Sequence, residues 1–449
     1  MRKLLTQISS KINRISLGEI TDITTKESLI PLNRLVPFAA KSEDFEVILR
    51  NTRLLPAKHP IEMNGFNSHL NMKKAVSVGG EMKNSESFYL NFTRDHPILL
   101  SFPSEVIWLG SEDGIKGFKD SFKWTAKRSD LGIDPQSIDN YSDALGDAIT
   151  KNIKKYGFWT NITDNNQQLS RILLESSLNM AILTRSTFLA GITPLLTKNS
   201  SKVGILSHRV NLAYGAMITD YEDIGERCPK YLYTINLDSS LIQKDNNSDE
   251  LKDISLRARV SLETNQFDGI FVSIRGLKYI SESEGKVNTL KKVIEHFCEI
   301  SSDEKLPIWL SHTGLISLAL FELGVNFGSY TLNNKIDDIY PAGFRPNAPR
   351  DPVATCGKVL DPDSCRILDY NQVIRLRDGL PVLDGVPNRP NELMSNVVYR
   401  KSFAKPYTIA AMNHLNKNWI ENVSNGETSP GAEYLSRFKE PSYISNWGG

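Results

Sequence analysis

The sequence predicts an α/β fold with a (βα)-barrel-like core, and three observations predict it. From about Gln168, helix-period stretches alternate with short β-rich runs, the pattern of βα units around a parallel sheet. Four runs are the clearest, Tyr231–Leu237, Gly269–Ile274, Leu306–Leu310 and Val325–Tyr330, each short and bounded by breakers. Between the last two, Leu315–Leu323 is almost wholly apolar, so this helix must be buried on more than one side, as a crossover helix against a parallel sheet is.

A chain of 449 residues exceeds the usual size of one compact domain, and it reads as three parts. Residues 1–165 form an irregular N-terminal α+β region, 166–340 the barrel-like core of the TIM-barrel type, and 341–449 a C-terminal wrap and helix. In the first part, Met1–Arg14 is basic and mildly amphipathic without the continuous apolar run of a signal peptide, which predicts a surface helix. From Ser28 to Gly110, apolar pieces such as Phe45–Leu49 and Val106–Leu109 stand between Asn, Gly, Pro and Ser, predicting strands and loops. Leu145, Ile149 and Ile153, four apart, predict a helix over Ser142–Tyr156. In the core, Asn288–Ile300 carries Leu290, Val293, Ile294 and Phe297 on one helical stripe. After Asn334 the chain is rich in Pro and Gly to about Pro390, with Phe344, Leu360, Ile367 and Leu383 as anchors of an ordered wrap, and a helix follows over Tyr407–Val423.

Composition excludes several classes of protein. A hydrophobic fraction of 40% and a charged fraction of 23% exclude extended disorder and a coiled-coil rod. Lys plus Arg at 53 against Asp plus Glu at 52 leaves a net charge of +1, so no global field draws the chain to nucleic acid or membrane, and any polyanion site is local. Nowhere do 18 apolar residues run together, which excludes a spanning helix. Four irregularly spaced cysteines make no disulfide framework and suit a reducing, cytoplasmic compartment. The phosphate loop G-x-x-x-x-G-K-[ST], H-E-x-x-H, G-x-S-x-G and C-x-x-C are all absent.

Sites in parallel βα folds lie at the C-terminal ends of strands, so the polar residues just past each run are the candidates. Asp238, followed by Ser239 and Ser240, is either a catalytic general base that also binds N–H groups of a heterocycle, or a turn cap. Arg275 with Gly276 suits bidentate binding of phosphate or carboxylate with close backbone approach, the alternative being a surface ion pair. Ser311-His312-Thr313-Gly314 is the most site-like tetrapeptide: His312 is a candidate catalytic group and Ser311, Thr313 and Gly314 candidate ligand contacts beside a helix start, against a structural histidine near a capped helix. Gly328-Ser329-Tyr330, with Asn333 and Asn334, offers neutral polar groups only. Cys356 and Cys365, nine apart in a Pro/Gly-rich loop, form with His414 a candidate zinc set without the paired spacing of strong zinc motifs. Lys116–Arg128, interleaved with Phe118, Phe122 and Trp124, reads either as a polyanion contact or as a solvated helix face with an apolar back.

The segment Phe267–Asn334 resembles the corresponding stretch of the tRNA-guanine transglycosylase superfamily, which includes paralogues that place deazaguanine bases in DNA. Phe267-Asp268-Gly269-Ile270 through Leu277, then Leu306-Pro307 through Gly314, then Leu323-Gly324-Val325 through Tyr330 follow the order of that family's YDGIAIGGL, PRYLMGVG and GVDMFDCV segments. Ile235-Asn236-Leu237-Asp238 is similar to the strand whose terminal Asp binds the base in that family, and Cys356, Cys365 and His414 fall where a zinc site would lie. The family's DSGGFQ motif is absent, and Ser329 stands at the position of its nucleophilic Asp. The resemblance therefore implies a barrel, with a transglycosylase-like or degenerate enzyme built on it. The expected function is binding of a nucleobase-like or phosphorylated ligand at the strand C-termini through Asp238, Arg275 and His312. The alternative is a non-catalytic scaffold or assembly subunit whose partner is nucleic acid or another protein.

Overall fold

The computed structural model describes residues 34–81, 85–102, 112–129, 133–155, 167–197, 201–223, 225, 227–242, 249–263, 267–277, 284–304, 306–332, 358–368, 370–376, 378–426 and 431. Its centre is a closed barrel of eight parallel strand positions: β1 (Arg34–Ala39), β2 (Ile61–Asn64), β3 (Ile98–Ser101), β4 (Phe188–Ala190) with β5 (Leu195–Leu196), β6 (Lys230–Asp238), β7 (Gly269–Arg275), β8 (Ile308–Ser311) and β9 (Phe327–Thr331). β4 and β5 share one position because both pair with β6, and the ring closes where β1 pairs with β9, Val36 opposite Ser329.

Helices cover the outside. α1 (Ser42–Arg50) joins β1 to β2, and α2 (Ser68–Glu81) and α3 (Ser85–Asp95) join β2 to β3. The β3–β4 connection holds α4 (Glu112–Ala126), α5 (Ile138–Lys155) and α6 (Gln167–Leu183). α7 (Ser201–Asp223), α8 (Asp249–Glu263), α9 (Glu284–Glu304) and the short α10 (Ile316–Leu320) follow the remaining strands. Past β9 come a hairpin of β10 (Val359–Asp361) and β11 (Arg366–Leu368), the short helices α11 (Tyr370–Val373) and α12 (Pro390–Ser395), and the long α13 (Val397–Asn425). α13 completes the helical ring: its Asn416 clamps β1, the side-chain oxygen accepting from Leu35 N–H at 2.7 Å and the amide donating to Leu35 O at 3.1 Å.

The predicted stripe on α9 is the packing face: Leu290, Val293, Ile294 and Phe297 are all buried, worth roughly 2 kcal/mol each in area removed from water. The three-part division needs correction. β1, β2 and β3 come from residues inside the expected N-terminal region and supply three of the eight strand positions, so the barrel begins at Arg34. Phe45–Leu49, expected as a strand, lies in α1, where Phe45, Ile48 and Leu49 are buried at helical spacing and Glu43 and Asp44 occupy the first turn. The expected wrap holds Leu360 in β10, Ile367 in β11 and Leu383, all buried, while α13 begins ten residues before Tyr407. Met1–Arg14, Val106–Leu109 and Phe344 lie outside the described residues.

One local device shapes the wall. Between β4 and β5 the chain leaves the ladder, and Asn211 of α7 takes the strand's place: its oxygen accepts from Thr234 N–H at 2.8 Å and Tyr231 Oη at 2.9 Å, and its amide donates to Thr234 O at 3.0 Å. Gly191 opens this gap against the Tyr214 ring, where a Cβ would come within 2.4 Å of ring carbon. Gly191→Ala is expected to force the wall and Tyr214 apart, costing about 1–3 kcal/mol. A urea midpoint unchanged from that of the unmodified chain would show that the ring moves freely.

Candidate functional site

Inside the barrel the side-chain chemistry changes along the axis. Near the strand N-termini, Val36, Leu99, Ala190, Leu232, Phe271 and Trp309 form an apolar cluster of their own, with Phe188 and Phe327 packed against it. Inward-facing positions recur every second residue along a strand, so the next layer toward the C-termini is read by adding two. It is polar on five strands, with Ser101 after Leu99, Thr234 after Leu232, Ser273 after Phe271, Ser311 after Trp309 and Ser329 after Phe327, and apolar on β1, where Phe38 follows Val36.

A carboxylate organises half of this layer. Glu62 on β2 is fully buried; its Oε1 accepts from the hydroxyls of Ser101 and Ser311, both at 2.6 Å, and its Oε2 from Trp309 Nε1 at 3.0 Å. Burial pushes the Glu62 carboxyl above its ordinary pKa, and its hydrogen-bond donors pull the other way. Across the barrel, Ser273 Oγ donates to Asn236 Oδ1 at 2.6 Å, and Asn236 Nδ2 donates to Thr193 Oγ1 at 2.8 Å. The two networks draw on β2, β3, β6, β7 and β8 and, through Thr193, on the segment between β4 and β5.

Above them lie the residues expected from the sequence. Asp238 and Arg275 stand directly opposite each other in the β6–β7 register and pair, Nε at 2.6 Å and Nη2 at 2.5 Å from Asp238 Oδ2, with side chains only 10% and 14% exposed. Arg275 is thus in an ion pair, largely buried and not a surface one. Gly276 follows at φ +78°, a left-handed turn that glycine makes without strain.

The tetrapeptide divides by role. Ser311 is bound to Glu62, and Thr313 Oγ1 meets Ser317 Oγ at 2.5 Å and donates to Leu310 O at 3.3 Å, so both turn into the protein. Gly314 N–H donates to Ser329 O at 2.9 Å, at φ +53°. The expected helix start is the five-residue α10, capped by no side chain. His312 differs from its neighbours. It takes a left-handed φ of +60°, and its N–H donates to Ser329 Oγ at 2.8 Å. Its ring lies 4.2 Å from that of Phe38, and Nε2 is buried with no hydrogen-bond partner among the described residues. Burial alone pushes its pKa down to about 3, so the ring is neutral at neutral pH. A strained backbone and an unsatisfied ring nitrogen at a strand C-terminus each cost free energy that a packing role does not require.

The candidate zinc set is not assembled in what is described. Cys356 lies outside the described residues; Cys365, in the β10–β11 turn, is in no disulfide and its Sγ donates to Pro362 O at 3.8 Å; His414 Nε2 meets Asn418 Nδ2 at 3.1 Å. Among the described residues no three His, Cys, Asp or Glu side chains gather as a metal would need. Lys116–Arg128 is the solvated helix face: Phe118 and Phe122 are buried, Lys119 pairs with Asp143, Lys123 with Asp139 at 2.6 Å, and the Arg128 guanidinium lies 5.0 Å from the Trp124 ring centroid. Acidic partners on α5 offset two of its four lysines, Lys119 and Lys123. Among the described residues, no helix is long and apolar enough to cross a membrane.

Sequence reasoning passed over Glu62, Asn236 and Ser273. The signal was present as parity: Ile61-Glu62-Met63-Asn64 and Val272-Ser273-Ile274-Arg275 alternate apolar with polar, and the polar members cluster toward the strand C-termini. No protein-family model matches the chain, and no curated protein matches it either, so the chemistry of this barrel mouth rests on its own residues.

Proposed function

We propose that the barrel binds a small, polar, nucleobase-like molecule at its C-terminal mouth, with Asp238, Arg275 and His312 as contacts. The observation that carries this reading is the buried, unpartnered Nε2 of a neutral His312 above a polar interior layer. A pocket that combines an apolar floor with a few placed hydrogen-bonding groups is the usual form of a small-molecule site. The pairing of Arg275 with Asp238 balances their charges, which favours a neutral heterocycle over a phosphorylated ligand. The transglycosylase resemblance supports the same choice, since it sets Asp238 at the base-binding position. It also sets Ser329 at the nucleophile's position, where the hydroxyl accepts from His312 N–H at 2.8 Å. That engagement favours binding without covalent base exchange, and it supports the alternative of a scaffold that works with nucleic acid or a partner protein. Cys228, Cys298 and Cys365 are in no disulfide, which supports the reading of a reducing, cytoplasmic setting.

The test is saturation-transfer NMR with hypoxanthine and cytosine, beside phosphorus NMR with inorganic phosphate. A nucleobase signal that weakens at least about tenfold in H312A and in D238N, as loss of one buried hydrogen bond implies, is the expected result. Binding of phosphate alone, abolished in R275A, would replace the nucleobase by a phosphorylated ligand. If no probe binds, the site reading falls and copurification of a partner becomes the measurement for the scaffold.

A further inference from the structure

We propose that the outer ridge of α8 is a self-association surface, on which a second copy of this chain docks with its own α8 running antiparallel. The helix joins β6 to β7 on the outside of the barrel and carries two separate apolar rows. Its inner stripe, Leu251, Ile254, Ala258 and Leu262, is buried and accounts for its packing. Among the described side chains of α8 the exposed ones are Lys252, Leu256, Val260 and Glu263, which the helical period sets in one row. Leu256 is 60% and Val260 52% exposed, so two branched apolar side chains stand together in water where the barrel gains nothing from them. Ile205 on α7, the helix packed beside α8, is exposed as well.

The charges select the occupant. Those flanking the ridge are already paired, Arg257 with Asp253 at 2.9 Å and Arg259 with Asp303 of α9 at 2.8 Å. Among the described residues, Lys252 and Glu263 have no ion-pair partner. Each also stands at the end of the helix that its charge disfavours: Lys252 is in the first turn and Glu263 is the last residue, whereas the macrodipole favours anions at the N-terminus and cations at the C-terminus. A second α8 laid antiparallel relieves both. It sets Lys252 of one protomer against Glu263 of the partner subunit, and the reverse, as a two-fold interface requires. The same two-fold brings Leu256 onto Val260 of the partner subunit. The centre of the charged pair lies between Arg257 and Ala258 and that of the apolar pair at Ala258, a difference of less than about 1 Å along the axis. A parallel copy would set like charges together at both ends, so the ridge complements itself in one orientation only. A contact centred on one helix from each copy falls below the roughly 1,200 Å² at which standard interfaces begin, so the association is weak and depends on concentration.

Sedimentation equilibrium of the full chain tests this from about 10 µM to 1 mM, the range in which so small an interface forms. The unmodified chain should pass from monomer to dimer with a dissociation constant on the order of 100 µM. The variants change exposed side chains and should keep the circular dichroism of the unmodified chain. Leu256→Asp should abolish the dimer. Lys252→Glu and Glu263→Lys each create a like-charge contact on both sides of the two-fold and should weaken it about tenfold, and the double variant should return to within about threefold of the unmodified chain. A dimer that L256D leaves intact overturns the proposal by placing the contact elsewhere, and a double variant that fails to recover overturns the antiparallel pairing. A chain monomeric throughout overturns it as well and leaves the ridge to a different protein. No ligand enters these measurements, so their failure is distinguishable from failure of hypoxanthine or cytosine to bind.

Discussion

Glu62→Ala is expected to destabilise the fold by roughly 2–4 kcal/mol, the cost of leaving a buried donor unsatisfied together with that of the void left by the side chain. The loss has two parts. The hydroxyls of Ser101 and Ser311 can turn to other acceptors, but Trp309 Nε1 is a donor only and sits at a fixed place in the wall, so its 3.0 Å bond to Glu62 has no substitute. The void left by the side chain adds a cavity cost at a point where three strands, β2, β3 and β8, meet at one side chain. Glu62→Gln keeps the volume and an acceptor for Trp309, so its cost should be about 1–2 kcal/mol. Urea unfolding of the three proteins gives the comparison. An alanine variant within ~1 kcal/mol of the unmodified chain would show that the donors find other acceptors and that Glu62 does not organise the barrel.

Acid is expected to have an effect of similar size. His59 and His312 each have a folded pKa pushed down to about 3, in both cases by burial first; for His59 the charges of Arg34 and His96 add to it. An unfolded chain returns them to about 6.5. Between those values the unfolded state binds more protons than the folded one, so stability is fully present above pH 6.5 and is lost as pH falls through the window. From pH 7 to pH 5 each histidine should remove about 2 kcal/mol. His69, His96 and His208 are depressed as well and act in the same direction. Glu62 opposes them: a carboxyl whose folded pKa is raised contributes stability at low pH that is lost as pH rises through the folded value. Histidine dominates by number, five depressed rings acting against the raised carboxyls of Glu62 and Asp268. Denaturant midpoints measured from pH 7 to pH 5 should fall steeply in the unmodified chain. They should fall less in His59→Gln, whose Nδ1 is buried without a partner among the described residues and which cannot be charged. A flat profile in the unmodified chain would mean that these rings open to solvent without unfolding.

Three candidate residues were legible because the strands that carry them announce themselves. Tyr231–Leu237 and Gly269–Ile274 are long enough to read locally, and the residue past the end of each, Asp238 or Arg275, falls at the mouth by construction. His312 follows the same logic from Leu310. That Asp238 and Arg275 bond each other was not legible, since it depends on β6–β7 register, which no local pattern states. The cationic helix of Lys116–Arg128 looked like a surface for polyanions because its neutralising partners, Asp139 and Asp143, sit on the next helix and become neighbours only on folding.

What the sequence by itself determined is the class of fold, the helical faces such as Leu290 to Phe297, and which residues stand at the ends of the clearer strands, because each is set by local periodicity and chain direction. Closure of the barrel was decided by tertiary structure alone. β1, β2 and β3 are four to six residues long, too short for a period to declare itself, and β1 earns its place only by meeting β9 from the far end of the fold. Glu62 was hidden for a related reason. Alternation shows that Ile61 and Met63 share one face and Glu62 and Asn64 the other, but not which face is inside. In a sheet with one wet side the polar face is the wet one; in a closed barrel wrapped by helices the apolar face looks outward to the helices, and the polar face is left lining the centre.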